Sequence, residues 1–310
     1  MDTLRYTELM DAGLSPADVR SMVRDGALSH PRHGGYLRGA LPDDPDARHL
    51  VLVRTTLPAL GPGAVLSHAS AAVMWGLPVP RRLLGRVHVT RDRASGGRAT
   101  KTLWTHARPL RDDDVVELQG MRVTSLARTV IDLAGLCEPD EALWVVDAGW
   151  RLLTSSEPLR DEAALGRRRG SRTIAWALDH ADPLAESPGE SESRYWMITC
   201  GVPRPLLQHE IRDDAGRLLA RADFAWPDLG VLGEFDGLVK YGRLVPPGRT
   251  ARDVIAPEKR RENRLLRQEW WIHRWMWDDL RDGPGFARDL CDLLERRAWA
   301  VGGRPSFPRA

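Results

Sequence analysis

Between Leu206 and Asp236 three short stretches suited to β-strands are separated by tight turn signals, and no other feature of the chain constrains its fold as much. Leu206 to Arg212 is followed by the turn Asp213-Asp214-Ala215-Gly216, Arg217 to Trp226 by Pro227-Asp228-Leu229-Gly230, and Val231 to Asp236 completes the set. Ahead of them a helix starts after Pro188 and runs to about Cys200, where Gly201 and Pro203 end it. Beyond them the sequence predicts a charged helix from about Glu258 to Gln268, a strand over Trp271 to Trp277 and a last helix from Asp278 to Arg297. The order is α-β-β-β-α-β-α.

Residues two apart on a strand share a face. Leu218, Ala220, Ala222, Phe224 and Trp226 then form an apolar face, with Asp223 opposite beside Leu219 and Arg221. On the next strand Val231, Gly233 and Phe235 share one face, Glu234 and Asp236 the other. Antiparallel pairing would bring Asp223 and Glu234 close together. Clustered carboxylates repel, and a divalent cation with oxygen ligands, Mg²⁺ or Mn²⁺, is the simplest compensation. The plain alternatives are a solvated sheet face for Asp223 and Glu234, and helix capping or a salt bridge to Arg194 for Glu190. Lys259, Arg260, Arg261, Arg264 and Arg267 interleave with Glu258, Glu262 and Glu269, the pattern of a salt-bridged helix surface.

At 310 residues the chain holds two or three domains, and Pro/Gly punctuation places breaks near Leu41 to Asp46 and near Asp182 to Gly189. In the first block Arg5 to Ala12 predicts a short helix stopped by Gly13, and Ser15-Pro16-Ala17-Asp18 opens a second that Gly26 ends. Two short helices joined by a tight turn suggest a helix-turn-helix. Ala27 to Arg38, with its basic Gly-rich tip, predicts a hairpin that would form a wing. The formal charge, 45 Lys+Arg against 43 Asp+Glu, is +2, so any nucleic-acid surface must be local. Arg20, Ser21 and Arg24 on the exposed helix face and Arg32 and His33 at the wing tip are its candidates; a solvated face is the plain alternative.

In the middle block Ser67, His68 and Asp132 supply the residue types of a hydrolase triad, yet Ser67 adjoins His68 and no Gly-x-Ser-x-Gly elbow is present. Capping and packing explain them better. Glu141 to Leu153 and Thr173 to His180 predict helices. Cys137, Cys200 and Cys291 are far apart and form neither a metal pair nor a disulfide framework, which fits a reducing cytoplasm. No secretory leader or membrane-length apolar run is visible, so a cytoplasmic protein with no membrane partner is expected.

Two resemblances sharpen these readings. Gly-Leu-Ser at Gly13, the Arg-Asp-Gly-Ala-Leu step at Arg24 and the Gly-Gly-Tyr ending at Gly34 resemble the N-terminal winged helix of AbiEi-type antitoxins of type IV toxin-antitoxin systems. Leu66-Ser67-His68-Ala69-Ser70-Ala71-Ala72 and Arg122 to Ala134 are similar to the region that follows it in such proteins. From Glu186 to Leu294 the chain resembles the PD-(D/E)XK nucleases, particularly the small domains related to very-short-patch-repair endonucleases found in many actinobacterial proteins. The residues that carry this are Glu190-Ser191-x-Ser193-Arg194, Ala222-Asp223-Phe224-Ala225-Trp226, Glu234-Phe235-Asp236-Gly237 with Lys240-Tyr241-Gly242, Glu258 to Leu265, and Arg274-Trp275-x-Trp277-x-Asp279-Leu280.

The resemblance implies that Asp223 is the metal-binding aspartate, Glu234 the acid of the E-x-K motif and Glu190 the helix-borne acid, all ligands of Mg²⁺ or Mn²⁺. Asp236 stands where the superfamily's lysine would be, and Lys240, four residues on and one of three lysines in the chain, is the candidate substitute. The expected fold is an α+β multidomain protein: a winged helix-turn-helix over 1–44, a mixed α/β middle domain with a helical connector over 45–182, and a restriction-endonuclease-like domain over 183–310. The implied function is a DNA-associated protein with metal-dependent phosphodiesterase activity. The alternatives are a DNA-binding regulator or antitoxin whose nuclease fold is degenerate, and a module that neutralises a cognate toxin without touching DNA.

Overall fold

The computed structural model describes residues 2–166, 168–237, 261 and 263–302. These form a mixed α/β protein of two compact units, Met1–His180 and Ala181–Ala310. Among the described residues no helix is long and apolar enough to cross a membrane.

The first unit begins with β1 (Thr3–Arg5), α1 (Tyr6–Asp11), α2 (Pro16–Arg24), β2 (Leu28–Arg32) and β3 (Gly35–Arg38). Ser15 caps α2 as its sequence suggests: its hydroxyl accepts the Asp18 amide at 3.2 Å, and the Asp18 carboxylate accepts the Ser15 amide at 2.8 Å. The hairpin turns through His33 and Gly34, and Gly34 takes the left-handed conformation at φ +75° that favours glycine. In this N-terminal portion β1 is additional to what the sequence predicts. β1 pairs antiparallel with β3, giving the sheet order β1-β3-β2; three residues are too short to display an alternating pattern. Leu9, Val19, Leu28 and Tyr36 form the core of this portion.

The expected break near Leu41 to Asp46 is the start of a helix, α3 (Pro45–Thr56), whose N-cap Asp44 accepts the Ala47 amide at 2.7 Å. It packs against β2 and against α4 (His68–Trp75), so the expected winged-helix segment and most of the middle segment lie in one unit. That unit also holds a six-stranded mixed sheet including β4 (Val65–Leu66), β5 (Val87–Arg91), β6 (Arg98–Ala99), β7 (Leu103–Ala107), β8 (Val115–Leu118) and β9 (Met121–Thr124), in the order β6-β7-β5-β4-β9-β8. Leu66, Ala71, Val87, Val89 and Val123 are fully buried in its core. Four helices complete the unit: α5 (Leu126–Ala134), α6 (Pro139–Leu152), α7 (Glu157–Ala164) and α8 (Ser171–His180).

The second unit opens with α9 (Pro188–Thr199), then β10 (Leu206–Arg212), β11 (Leu218–Trp226), β12 (Val231–Phe235) and β13 (Trp271–Trp275). The sheet order is β10-β11-β12-β13; the first three strands are antiparallel neighbours and β13 runs parallel to β12. Residues 261 and 263–267 are helical. Phe224, Trp226, Val231 and Trp275 join Met197 and the closing helix Gly283–Ala300 in one core cluster, while Ala225, Leu232 and Leu265 belong to another.

One expected element is divided. The last helix is two, Trp277–Leu280 and Gly283–Ala300, because Asp282 restarts it as an N-cap accepting the Gly285 amide at 3.1 Å, with Pro284 in the first turn.

Candidate functional site

The acids singled out in the sequence belong to the second unit, and each is placed by a local device. Ser187 caps α9: its hydroxyl accepts the Glu190 amide at 3.2 Å and donates to the Glu190 carboxylate at 2.7 Å. That carboxylate also accepts the Glu186 amide at 2.9 Å and the Gln208 side-chain amide at 2.9 Å. Glu190 is therefore a capping residue, and its buried carboxylate has no basic partner among the described residues. The start of α9 can approach the sheet this closely because residue 189 is glycine. A Cβ there would lie 2.0 Å from the Phe235 ring. Gly189→Ala is expected to destabilise the protein by about 1–3 kcal/mol through overpacking, measured as a lowered urea midpoint; an unchanged midpoint would show that the helix can slide away at no cost.

Asp223 sits on β11 next to Phe224, which pairs with Leu207 on β10 and Gly233 on β12. Its carboxylate accepts the Phe235 amide at 2.9 Å. Burial, followed by the negative charge of Glu190, pushes its pKa up to about 6 despite that hydrogen bond; Glu234 and Glu186 add to the repulsion. Burial likewise raises Glu190 above the usual carboxylate range.

The other two acids are compensated. Glu186 holds Arg221 through two hydrogen bonds of 2.8 Å. Glu234 is gripped from two directions: Arg261 donates to both its oxygens at 2.8 and 3.0 Å, and Arg274, its neighbour on parallel β13, donates at 2.8 Å. Asp236 follows the end of β12, where its amide donates to the Trp275 carbonyl at 2.8 Å. Lys240 lies outside the described residues.

Sequence reasoning missed Gln208. It stands on β10 between Leu207 and His209, whose partners on β11 are Phe224 and Ala222, so it is placed across from Asp223. Its backbone is left-handed at φ +50°, unusual for a non-glycine residue, and its Oε1 is buried without a hydrogen-bond partner. A lone glutamine in a strand gives no sequence signal of this.

Asp223, Glu190 and Gln208 together offer an all-oxygen donor set of the kind Mg²⁺ and Mn²⁺ take with few protein ligands. These residues fit such an ion by chemistry, although among the described residues no three His, Cys, Asp or Glu side chains are assembled as a ready cage.

In the first unit the nucleic-acid candidates separate into two kinds. Arg20 and Arg24 are exposed on α2, and among the described residues neither has an ion-pair partner. His33 is exposed at the hairpin turn. Ser21 donates to Asp25 at 3.2 Å, and Arg32 donates to the Thr55 carbonyl at 2.9 Å, which ties the hairpin to α3. Ser67 and His68 are hydrogen-bonded to each other at 2.9 Å, while Asp132 is taken up by Arg128 and Arg168, so these three residues form no relay.

No family model matches the chain. A crystal structure of the RV2827C protein from Mycobacterium tuberculosis resembles it at a TM-score of 0.38 with 16% identity, over 63% of this chain and 75% of that one. Two Mycobacterium tuberculosis proteins, each described as uncharacterized, are similar in sequence: Rv2248 of strain H37Rv and MT2308 of strain CDC 1551. Each is 31% identical over 245 residues, covering 78% of this chain and 85% of the relative. The chain belongs to the family of these two mycobacterial proteins.

Proposed function

We propose that the protein acts on DNA in the cytoplasm, with a winged-helix, AbiEi-antitoxin-like front end and a second unit that hydrolyses phosphodiesters as an endonuclease of the PD-(D/E)XK, very-short-patch-repair-like type. The observation that carries this is the pair Asp223 and Glu190, two carboxylates without a cationic partner among the described residues, beside the unpartnered oxygen of Gln208. The order of α9, β10, β11 and β12, with helical residues 261 and 263–267 ahead of β13, supports it. Asp223 and Glu190 would hold Mg²⁺ or Mn²⁺, which when bound supplies Lewis-acid stabilisation of charge on the phosphate. Arg261 and Arg274 bring positive charge to Glu234, on the strand whose next acid, Asp236, replaces the expected lysine. They would steady the phosphate that such a lysine otherwise meets. Arg20 and Arg24, with His33, would hold duplex phosphates from the first unit.

A second reading is a DNA-binding regulator or antitoxin, with a cognate toxin as partner and a nuclease fold that no longer turns over. Two observations favour it: Asp236 at the lysine position, and Glu234 occupied by two arginines. Incubation with supercoiled plasmid and single-stranded DNA, in Mg²⁺, Mn²⁺ or EDTA, separates the two. The first reading expects cleavage that needs metal and disappears in Asp223→Asn. Salt-sensitive binding without cleavage, with a salt slope reduced in Arg20→Ala/Arg24→Ala, selects the second. Absence of both cleavage and binding defeats both and leaves a toxin-neutralising module that does not touch DNA.

A further inference from the structure

The first unit contains a cavity of about 350 Å³ that none of the proposed DNA chemistry uses. Two of its lining residues, Asp132 and Arg168, belong to a largely buried ion network. Arg128 donates to Asp114 at 2.9 Å and to Asp132 at 2.6 Å, Arg168 pairs with Asp132 and Glu162, and Arg111 reaches Asp114 at 2.6 Å and Glu162 at 2.7 Å. Within this network the three carboxylates are balanced by the three guanidinium groups. Arg108 and Arg169 line the same cavity in addition, and among the described residues neither is paired with a carboxylate. Arg108 is half-buried; its Nε, like that of Arg168 on the cavity wall, is shielded from water without a hydrogen-bond partner. Two positive charges without a carboxylate ion pair among the described residues therefore line one space.

The remaining wall is aromatic. The His68 and His106 rings stack at 3.6 Å between centroids, and Trp104 lies 4.9 Å from His106. Burial and then the neighbouring His68 push His106 down to about 2, and burial and His88 hold His68 well below the ordinary histidine value, so both rings are neutral near pH 7. The charge facing the cavity is thus the arginines' own. His68 holds a left-handed backbone at φ +48° while buried, a strain that the surrounding structure must maintain.

We infer that this cavity binds a phosphate monoester of mononucleotide size, with the phosphate on Arg108 and Arg169 and the base against Trp104 and His106. Charge selects the phosphate: two guanidinium groups without a direct carboxylate ion pair among the described residues match the near-dianion of a phosphomonoester at neutral pH better than a single carboxylate. Size selects the rest of the ligand. Small-molecule pockets span on the order of 300–1,000 Å³, and this cavity lies at the small end, suited to one nucleotide. Flat aromatic walls take the face of any base, so the site recognises the class before the individual base. The inference is independent of whether the second unit cuts DNA.

Thermal shift and calorimetry of the full chain with adenosine 5′-monophosphate, adenosine and inorganic phosphate test it. Adenosine monophosphate should bind and raise the melting temperature of the wild-type protein, adenosine should bind at least tenfold more weakly, and phosphate should compete with the monophosphate. Arg108→Gln and Arg169→Gln should each weaken the monophosphate at least tenfold. Arg108→Gln should itself melt no lower than wild type, because the group it removes has no ionic partner, and Arg169→Gln at the exposed rim covers the case in which it does. Equal binding of adenosine and its monophosphate, unchanged affinity in both variants, or no binding of any probe at 10 mM would each overturn the assignment.

Discussion

Asp223→Asn is expected to melt several degrees above the wild-type protein at about pH 7.5 in EDTA while losing all metal-dependent cleavage. The carboxyl is pushed up from 3.8 to about 6 by burial and by Glu190. Below about pH 3 the group is protonated in folded and unfolded chains alike and its shift costs nothing. As the pH rises towards 6 the unfolded chain ionises freely while the folded one resists, so stability is lost across this window and the full penalty stands above it. Raising the carboxyl from 3.8 to about 6 corresponds to about 3 kcal/mol, and partial solvent access at Asp223 brings the expected gain to about 1–3 kcal/mol. The two proteins should therefore melt alike near pH 3. Mg²⁺ should raise the melting temperature of wild type but not of the variant, since an ion that binds the folded state stabilises it by mass action. Matching melting curves at pH 7.5 in EDTA would show that Asp223 is not held against its charge, and the case for a cation between it and Glu190 would fall.

The second large effect belongs to the first unit. Arg128→Met should cost about 3–5 kcal/mol, because it removes one partner from a buried network and leaves charge uncompensated inside the protein. Arg128 serves both Asp114 and Asp132, and its side chain is 4% exposed. Chemical denaturation should show the transition of this unit moving to markedly lower urea. Adding Asp114→Asn should recover part of the loss, since Arg111 can then rest on Glu162 alone. A loss below about 1 kcal/mol, or no recovery in the double variant, would mean that packing of the arginine stem rather than ion pairing holds this region.

The sequence was most informative where periodicity and local chemistry coincide. Ser15 and Asp18 specify their capping box within four residues, and the strands over 206–235 follow from alternation and turns. The acids on those strands were legible from phase alone, and Glu190 as a cap was one of the readings available. What could not be read were partners far apart in the chain. Arg261 and Arg274 reach Glu234 from 27 and 40 residues away, and nothing in local spacing announces either. Arg111, Arg128 and Arg168 likewise look like ordinary surface arginines in a sequence where arginine supplies nearly all the positive charge. Gln208 is marked only by an unusual backbone angle and an unmet oxygen, both of them properties of the folded chain.

The parallel seating of β13 against β12 bears on how the protein emerges from the ribosome. A parallel neighbour cannot be supplied by a tight hairpin. Until the chain has been synthesised past Trp275, β10, β11 and β12 can pair only among themselves, β12 ends as an open edge, and Glu234 lacks Arg274. Addition of β13 is thus the event that brings Arg274 to Glu234, so a nascent or truncated chain carries that acid without this cation beside it.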